Sequence, residues 1–201
     1  MVFFEYGQVE IEHLKRKDKK LGAAIDKIGL IQREVKSNVF YALIQSILSQ
    51  QISTKAAQTV CARMDILLHH DITPQSIKIA GQDAIKACGM SQRKAGYIVG
   101  IAEAALTGVV DFTTLHTLTD AEIIIKLTAL NGVGVWTAEM LLIFSLCRPN
   151  IVSYGDLAIR RGLMKLYGLE KLPKDLFEKY IKRYSPYGSV ASLYLWALSV
   201  E

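Results

Sequence analysis

Cysteine is scarce in this sequence, and what there is has no arrangement that would hold a metal. Cys61, Cys88 and Cys147 are odd in number and far apart, and no Cys-x-x-Cys pair is present, which excludes the usual zinc and iron–sulfur ligand spacings. Buried free thiols in a reducing compartment is the reading that remains. No uninterrupted apolar run approaches the roughly twenty residues a membrane span needs. Met1-Val2-Phe3-Phe4 is followed at once by Glu5, so no secretory leader is expected, and the chain is expected to be cytoplasmic. Also missing are an alternating strand series, a repeat array and a low-complexity linker, which removes sheet-based folds, solenoids and disordered tethers.

What is present is apolar and helical. At 201 residues, with 51% hydrophobic and 21% charged residues, the chain suffices for one substantial core or for two small lobes sharing a cleft. A net charge of +5 fits an anionic partner without demanding one. Leu14, Leu21, Ala24, Ile25 and Ile28 share one face of a helix expected over 12–30, stopped near Gly29, with residues 15–20 as its solvated side. Ser37 is placed to cap a helix whose Phe40, Leu43, Ile44, Ile47 and Leu48 form a core stripe, ending in the polar corner Ser49-Gln50-Gln51-Ile52-Ser53. Further helices follow: one from Ser53 to about His69, one opened by Pro74, and one from Gln92 to Leu106 behind Ser91. On these residues alone Arg93 and Lys94 are exposed charges. The neighbours His69 and His70 suit a helix end better than metal ligation. Thr119-Asp120-Ala121-Glu122 has capping-box spacing. After it come a helix that Gly168 stops, one that Pro173 opens, and, past the break at Ser185-Pro186-Tyr187-Gly188-Ser189, a final apolar helix through Trp196. Every element is helical, so the expected fold class is all-α.

The stretch Leu130-Asn131-Gly132-Val133-Gly134-Val135-Trp136-Thr137-Ala138 organises the rest. Two glycines one residue apart hold a short turn that ordinary side chains would obstruct, and the apolar run from Val135 to Leu146 then forms a helix. Bare backbone amides at a helix start, together with the positive end of its dipole, suit a phosphate oxygen. A lone acid, Asp156, follows after glycine and before another apolar-periodic helix. Such an acid is commonly an N-cap.

The string Leu-x-Gly-Val-Gly-x-x-Thr-Ala closely resembles the hairpin of the helix-hairpin-helix DNA glycosylases, and Ile151-Val152-Ser153-Tyr154-Gly155-Asp156-Leu157-Ala158-Ile159-Arg160-Arg161 resembles the segment carrying their catalytic aspartate. The likeness runs from about Leu14 to Trp196 and includes Gly89-Met90-Ser91-Gln92-Arg93-Lys94-Ala95-Gly96-Tyr97. It implies an all-α, two-lobed fold with a cleft between the lobes, divided as 38–155 and 1–37 with 156–201, in the compact form without an extra N-terminal domain. It implies Asp156 as the catalytic acid, with Trp136, Met140 and Trp196 at the base pocket. DNA contacts are implied at Gln50, Gln51, Gly132, Val133, Gly134, Val135 and Thr137. The carbonyls of Thr128, Leu130 and Val133 are implied as ligands of a monovalent cation at the hairpin when DNA is bound, with no cofactor required for chemistry.

The expected partner is double-stranded DNA containing damaged bases, met by a monomer that touches no membrane. Bifunctional relatives carry a lysine where this chain has Trp136, and tryptophan cannot form a Schiff base. Together with the missing cysteine cluster, this points to the DNA-3-methyladenine glycosylase II branch: a monofunctional enzyme that flips out alkylated purines, hydrolyses the N-glycosidic bond and leaves an abasic site. Gln51 falls where some relatives carry an apolar wedge, and an amide there would fill the gap and bond the orphaned base. Gly188 stands where many members have arginine, and Met140 where some have an aromatic. A noncatalytic helix-hairpin-helix damage-recognition module and a glycosylase for oxidised bases are the competing readings.

Overall fold

The computed structural model describes residues 2–200. Among them are eleven α-helices, one 3-10 turn at Leu115–Thr117 and two strands of two residues each. The chain divides into two compact units, Lys36–Leu141 and Met1–Val35 with Leu142–Glu201. The expected division was 38–155 against the remainder; the second boundary instead falls inside helix α8 (Val135–Phe144). No helix of the described residues is long and apolar enough to cross a membrane.

In the unit built from both ends of the chain, strands β1 (Val2–Phe3) and β2 (Glu34–Val35) pair antiparallel, Val2 opposite Val35. The single helix expected over 12–30 is two, α1 (Gln8–Lys17) and α2 (Lys19–Ile28). Asp18 is the cause. Its backbone is extended and its Oδ1 accepts the N–H groups of Lys20 (3.1 Å) and Leu21 (3.0 Å), so it caps a new helix where the old one stops. Apolar spacing survives the break, since Leu14 and Leu21 are both fully buried. Helices α9 (Leu157–Tyr167) and α11 (Gly188–Val200) pack closely, with α10 (Lys174–Ile181) between them in sequence. A Cβ on Gly162 would lie 1.9 Å from the Leu195 carbonyl oxygen, so that crossing admits only glycine.

The central unit is laid around α3 (Val39–Ser49), whose Leu43, Ile44 and Ile47 are fully buried and stabilise it by about 1.5–3 kcal/mol each. Its cap is Asn38 rather than Ser37: the Asn38 Oδ1 accepts the Tyr41 N–H at 2.9 Å. Ser53 caps α4 (Thr54–Leu67), and Thr73 caps α5 (Pro74–Ala87), which packs along α6 (Gln92–Leu106). His69 and His70 lie just beyond α4 with positive φ, His70 paired with the Asp65 carboxylate, and no group of metal-ligating side chains occurs among the described residues. Both halves of the expected capping box form at the start of α7 (Asp120–Thr128): the Glu122 N–H donates to Thr119 Oγ1 and the Thr119 N–H to Glu122 Oε2.

Candidate functional site

The hairpin joins α7 to α8 through a turn in which the Val133 N–H donates to the Leu130 carbonyl at 3.1 Å. Its two glycines differ in kind. Gly132 has φ +87°, and a Cβ there would sit 2.3 Å from Cδ2 of Tyr97, so glycine is demanded by backbone conformation and by packing together. At Gly134 a Cβ would meet nothing within 4 Å. The first glycine makes the turn; the second leaves the surface bare. Gly134 accepts the Ala138 N–H at 3.1 Å, so the amides of Val135, Trp136 and Thr137 head α8, where a helix supplies no acceptor of its own.

Of the residues assigned to DNA at this turn, Val133 and Thr137 have buried side chains and reach outward through the backbone alone. Val135 and Trp136 are exposed, Trp136 to 43%. Met140, one turn after Trp136 on the same helical face, is half-buried. The Leu130 carbonyl accepts the Val133 N–H. Neutral carbonyl oxygens, such as those of Thr128, Leu130 and Val133, suit a weakly held monovalent ion better than a divalent one.

The corner between α3 and α4 separates the two glutamines. Gln50 Nε2 donates to the Gly132 carbonyl at 3.2 Å, tying the corner to the hairpin turn. Gln51 is exposed in the left-handed region, φ +56°, with Ile52 beside it 40% exposed. Lys94 is not the exposed charge its local sequence suggested. It is half-buried, and its Nζ donates to the carbonyls of Leu48 (3.2 Å) and Gln50 at the C-terminal end of α3, where the helix dipole favours a cation. Burial pulls its pKa below the ordinary lysine value. Lys94, Leu48, Gln51, Val60 and Met90 line a pocket of about 220 Å³ at this corner. The available signal was the Gly89–Tyr97 segment, whose lysine and tyrosine lie three apart on one helical face.

In the other unit Asp156 is the N-cap of α9. Its Oδ1 accepts the N–H groups of Ala158 (2.9 Å) and Ile159 (3.0 Å), and the residue is 7% exposed. The capping role is therefore real, and it fixes the carboxylate to the main chain. Four residues on, the Arg160 guanidinium lies 5.1 Å from the Tyr154 ring. Trp196 is half-buried, its ring centroid 5.3 Å from that of Phe144, and the Arg33 guanidinium lies 5.2 Å from the Phe144 ring. Phe144 and Arg33 carried no sequence signal beyond an apolar run and a lone charge. Gly188 has a packing reason: a Cβ would come within 2.9 Å of Asn150 Oδ1 and Val152 Cγ2, and the Gly188 N–H donates to the same Asn150 oxygen. An arginine cannot occupy that position without displacing both.

Residues 44–186 match the HhH-GPD superfamily of base excision DNA repair proteins. The chain belongs to this superfamily. Over 168 residues it is 34% identical to DNA-3-methyladenine glycosylase 1 of Schizosaccharomyces pombe, covering 82% of this chain and 74% of the relative. Among solved HhH-GPD structures, a DNA-3-methyladenine glycosidase from Bacillus halodurans superposes with a TM-score of 0.90 at 35% identity, across 99% of this chain and 93% of the other. The S. pombe 3-methyladenine DNA glycosylase Mag1, solved in complex with abasic DNA, gives 0.81 at 31% identity, with 94% and 95% covered. The all-α helix-hairpin-helix glycosylase fold expected from the sequence is thus the fold of this chain.

Proposed function

We propose that this HhH-GPD protein is a monofunctional DNA glycosylase of the 3-methyladenine glycosylase II type, which extrudes alkylated purines from duplex DNA, hydrolyses their N-glycosidic bond and leaves an abasic site. The observation that carries the reading is the Asp156 carboxylate, locked by two backbone amides at the head of α9, in a chain that matches 3-methyladenine glycosylases over nearly its whole length. Departure of a base develops positive charge on the sugar, as in other glycoside hydrolyses. A carboxylate that cannot swing away stabilises that charge without reorganising, and it can orient or deprotonate the attacking water. An alkylated purine leaves as a cationic base and needs little protonation, so a second acid is dispensable. Trp136 has no amine with which to trap the sugar, which supports hydrolysis without strand cleavage. The π faces of Trp196 and Phe144 favour an electron-poor purine over a neutral one, as the guanidinium already resting by Phe144 illustrates.

Grip on the duplex comes from the amides at the head of α8 beside the bare Gly134, with the carbonyls of Thr128, Leu130 and Val133 holding a monovalent cation that bridges to a phosphate. Contacts of this kind ignore sequence and weaken as salt rises. Gln50 is committed to the Gly132 carbonyl, which leaves Gln51 as the residue that fills the gap behind the extruded base. The protein acts as a cytoplasmic monomer on DNA and requires no cofactor for chemistry. Base-release assays on duplexes carrying 3-methyladenine, 7-methylguanine, hypoxanthine or 8-oxoguanine, each followed by a check for strand nicking before alkali, test the whole reading. Release of the alkylated bases without nicking is expected. Release of 8-oxoguanine alone, or of nothing from a duplex that is bound, would overturn it.

A further inference from the structure

We propose that Lys94 is the positioning residue for Gln51, and that α6 braces the α3–α4 corner and the hairpin turn as one piece. This rests on the reading of Gln51 as the gap-filling side chain. Gln51 stands in a backbone conformation that L residues avoid, so something other than local preference must hold the corner. Lys94 supplies two of the restraints: its ammonium binds the carbonyls of Leu48 and Gln50, the second being the peptide that leads directly into Gln51. A third is the Gln50 side-chain amide on the Gly132 carbonyl. Gly132 in turn lies so close to the Tyr97 ring that no Cβ would fit.

Lys94 and Tyr97 are three residues apart on α6, on one face of that helix. A single rigid element therefore fixes both the corner that bears Gln51 and the turn that presents the hairpin amides. The spacing between the side chain entering the duplex and the main chain gripping its backbone is set by α6. A lysine serving as a phosphate contact would extend outward. This one is half-buried, turned onto main-chain oxygens and lining the pocket behind Gln51.

The test is a four-protein cycle of wild type, Lys94→Met, Gln51→Ala and the double variant, each shown to fold by its melting curve. The first readout is independent of turnover: fluorescence of 2-aminopurine placed opposite a tetrahydrofuran abasic analogue, which reports entry of a side chain into the stack. Wild type changes the signal, and each single variant is expected to lose most of that change, the double variant losing no more than Gln51→Ala. Single-turnover excision of 7-methylguanine should fall about tenfold for Lys94→Met, the coupling expected of groups in contact, and less than twofold when Lys94→Met is added to Gln51→Ala. Equal losses in both backgrounds, or a fall of about one in the slope of binding against log salt, would make Lys94 an ordinary phosphate contact and overturn the proposal. A Gln51→Ala protein with unchanged fluorescence and rate would remove the gap-filling reading itself. If Lys94→Met does not fold, Lys94→Arg, which keeps the charge but moves its donors, is read in the same cycle. There, a reduced fluorescence change that vanishes in the Gln51→Ala background supports the proposal, and a loss persisting in that background overturns it.

Discussion

Replacing Asp156 by asparagine separates the cap this residue forms from the chemistry proposed for it. The Oδ1 atom caps α9 through the amides of Ala158 and Ile159, and an asparagine carbonyl accepts the same two bonds. What asparagine loses is the negative charge at a helix N-terminus, worth about 0.3–1 kcal/mol. At this chain length ~1 kcal/mol moves the melting temperature by about 2–4 °C, so Asp156→Asn should melt within about 4 °C of wild type. Asp156→Ala forfeits acceptor and charge together, ~1–2 kcal/mol, and should melt lower by about 2–8 °C. Chemistry should not grade in this way. Without a carboxylate to stabilise the sugar cation or prepare the water, both variants should excise at least about 10²-fold more slowly, while still binding damaged duplex. Single-turnover base release on an alkylated duplex, run beside thermal melts and a binding titration, reads all three quantities. An Asp156→Asn protein within threefold of the wild-type rate would show that the acid is only a cap, and the enzymatic reading would fall.

Other expectations are structural or probe the clamp. Gly162→Ala pushes a Cβ to 1.9 Å from the Leu195 carbonyl, an overpacking worth about 1–3 kcal/mol or more, and should lower the melting temperature. Gly100→Ala in α6, where a Cβ would meet nothing within 4 Å, should raise it by the roughly 0.5–1 kcal/mol that alanine gains over glycine in a helix. Gly134→Ala should melt like wild type yet bind duplex more weakly in a fluorescence-anisotropy titration; unchanged affinity would mean that no DNA backbone approaches there. Among the cysteines, Cys147 is the exposed one and should alkylate first in a mass-spectrometric time course. Although the residue is exposed, partial burial of the sulfur, and secondarily the charge of Glu5, hold its thiol above the ordinary value, so labelling should be slow at neutral pH and accelerate above pH ~9. Because the folded state keeps that proton longer than the unfolded one, the same group contributes a loss of stability as pH rises through this range.

Caps and periodicity were legible because their causes are local. Ser53, Ser91 and Thr119 each bond an amide three residues on, a relation written in a short window. The break at Asp18 was missed for a related reason: the apolar spacing of Leu14, Leu21 and Ile25 continues through it, and periodicity alone does not register a side chain that captures two amides. Ser37 and Asn38 are both good caps, and the choice between them depends on where the Val39 turn begins. Lys94 was illegible because the oxygens it serves lie some forty-five positions earlier in the chain, at Leu48 and Gln50. Gly188 was visible as a departure, but its cause, the contact with Asn150 and Val152, exists only after folding.

The hairpin motif itself divides into two sets of positions with different jobs. In Leu-x-Gly-Val-Gly-x-x-Thr-Ala the side-chain positions that are specified are Leu130, Val133, Thr137 and Ala138, and all four are buried. The unspecified positions, Asn131, Val135 and Trp136, are exposed. The motif therefore prescribes an inner face that anchors the turn and leaves its outer side chains open, apart from glycine. What it presents outward is main chain, and main chain has the same donors whatever the sequence. On the proposed reading, a surface of that kind holds phosphate without reading bases, which is what an enzyme obliged to work in every sequence context requires. Discrimination, on the same reading, comes from elsewhere, from the aromatic pair Phe144–Trp196 and from the ease with which a damaged base leaves its stack. Grip and selection can consequently be altered independently: changes at Gly134 should alter affinity for all duplexes alike, and changes at Trp196 should alter which base is released.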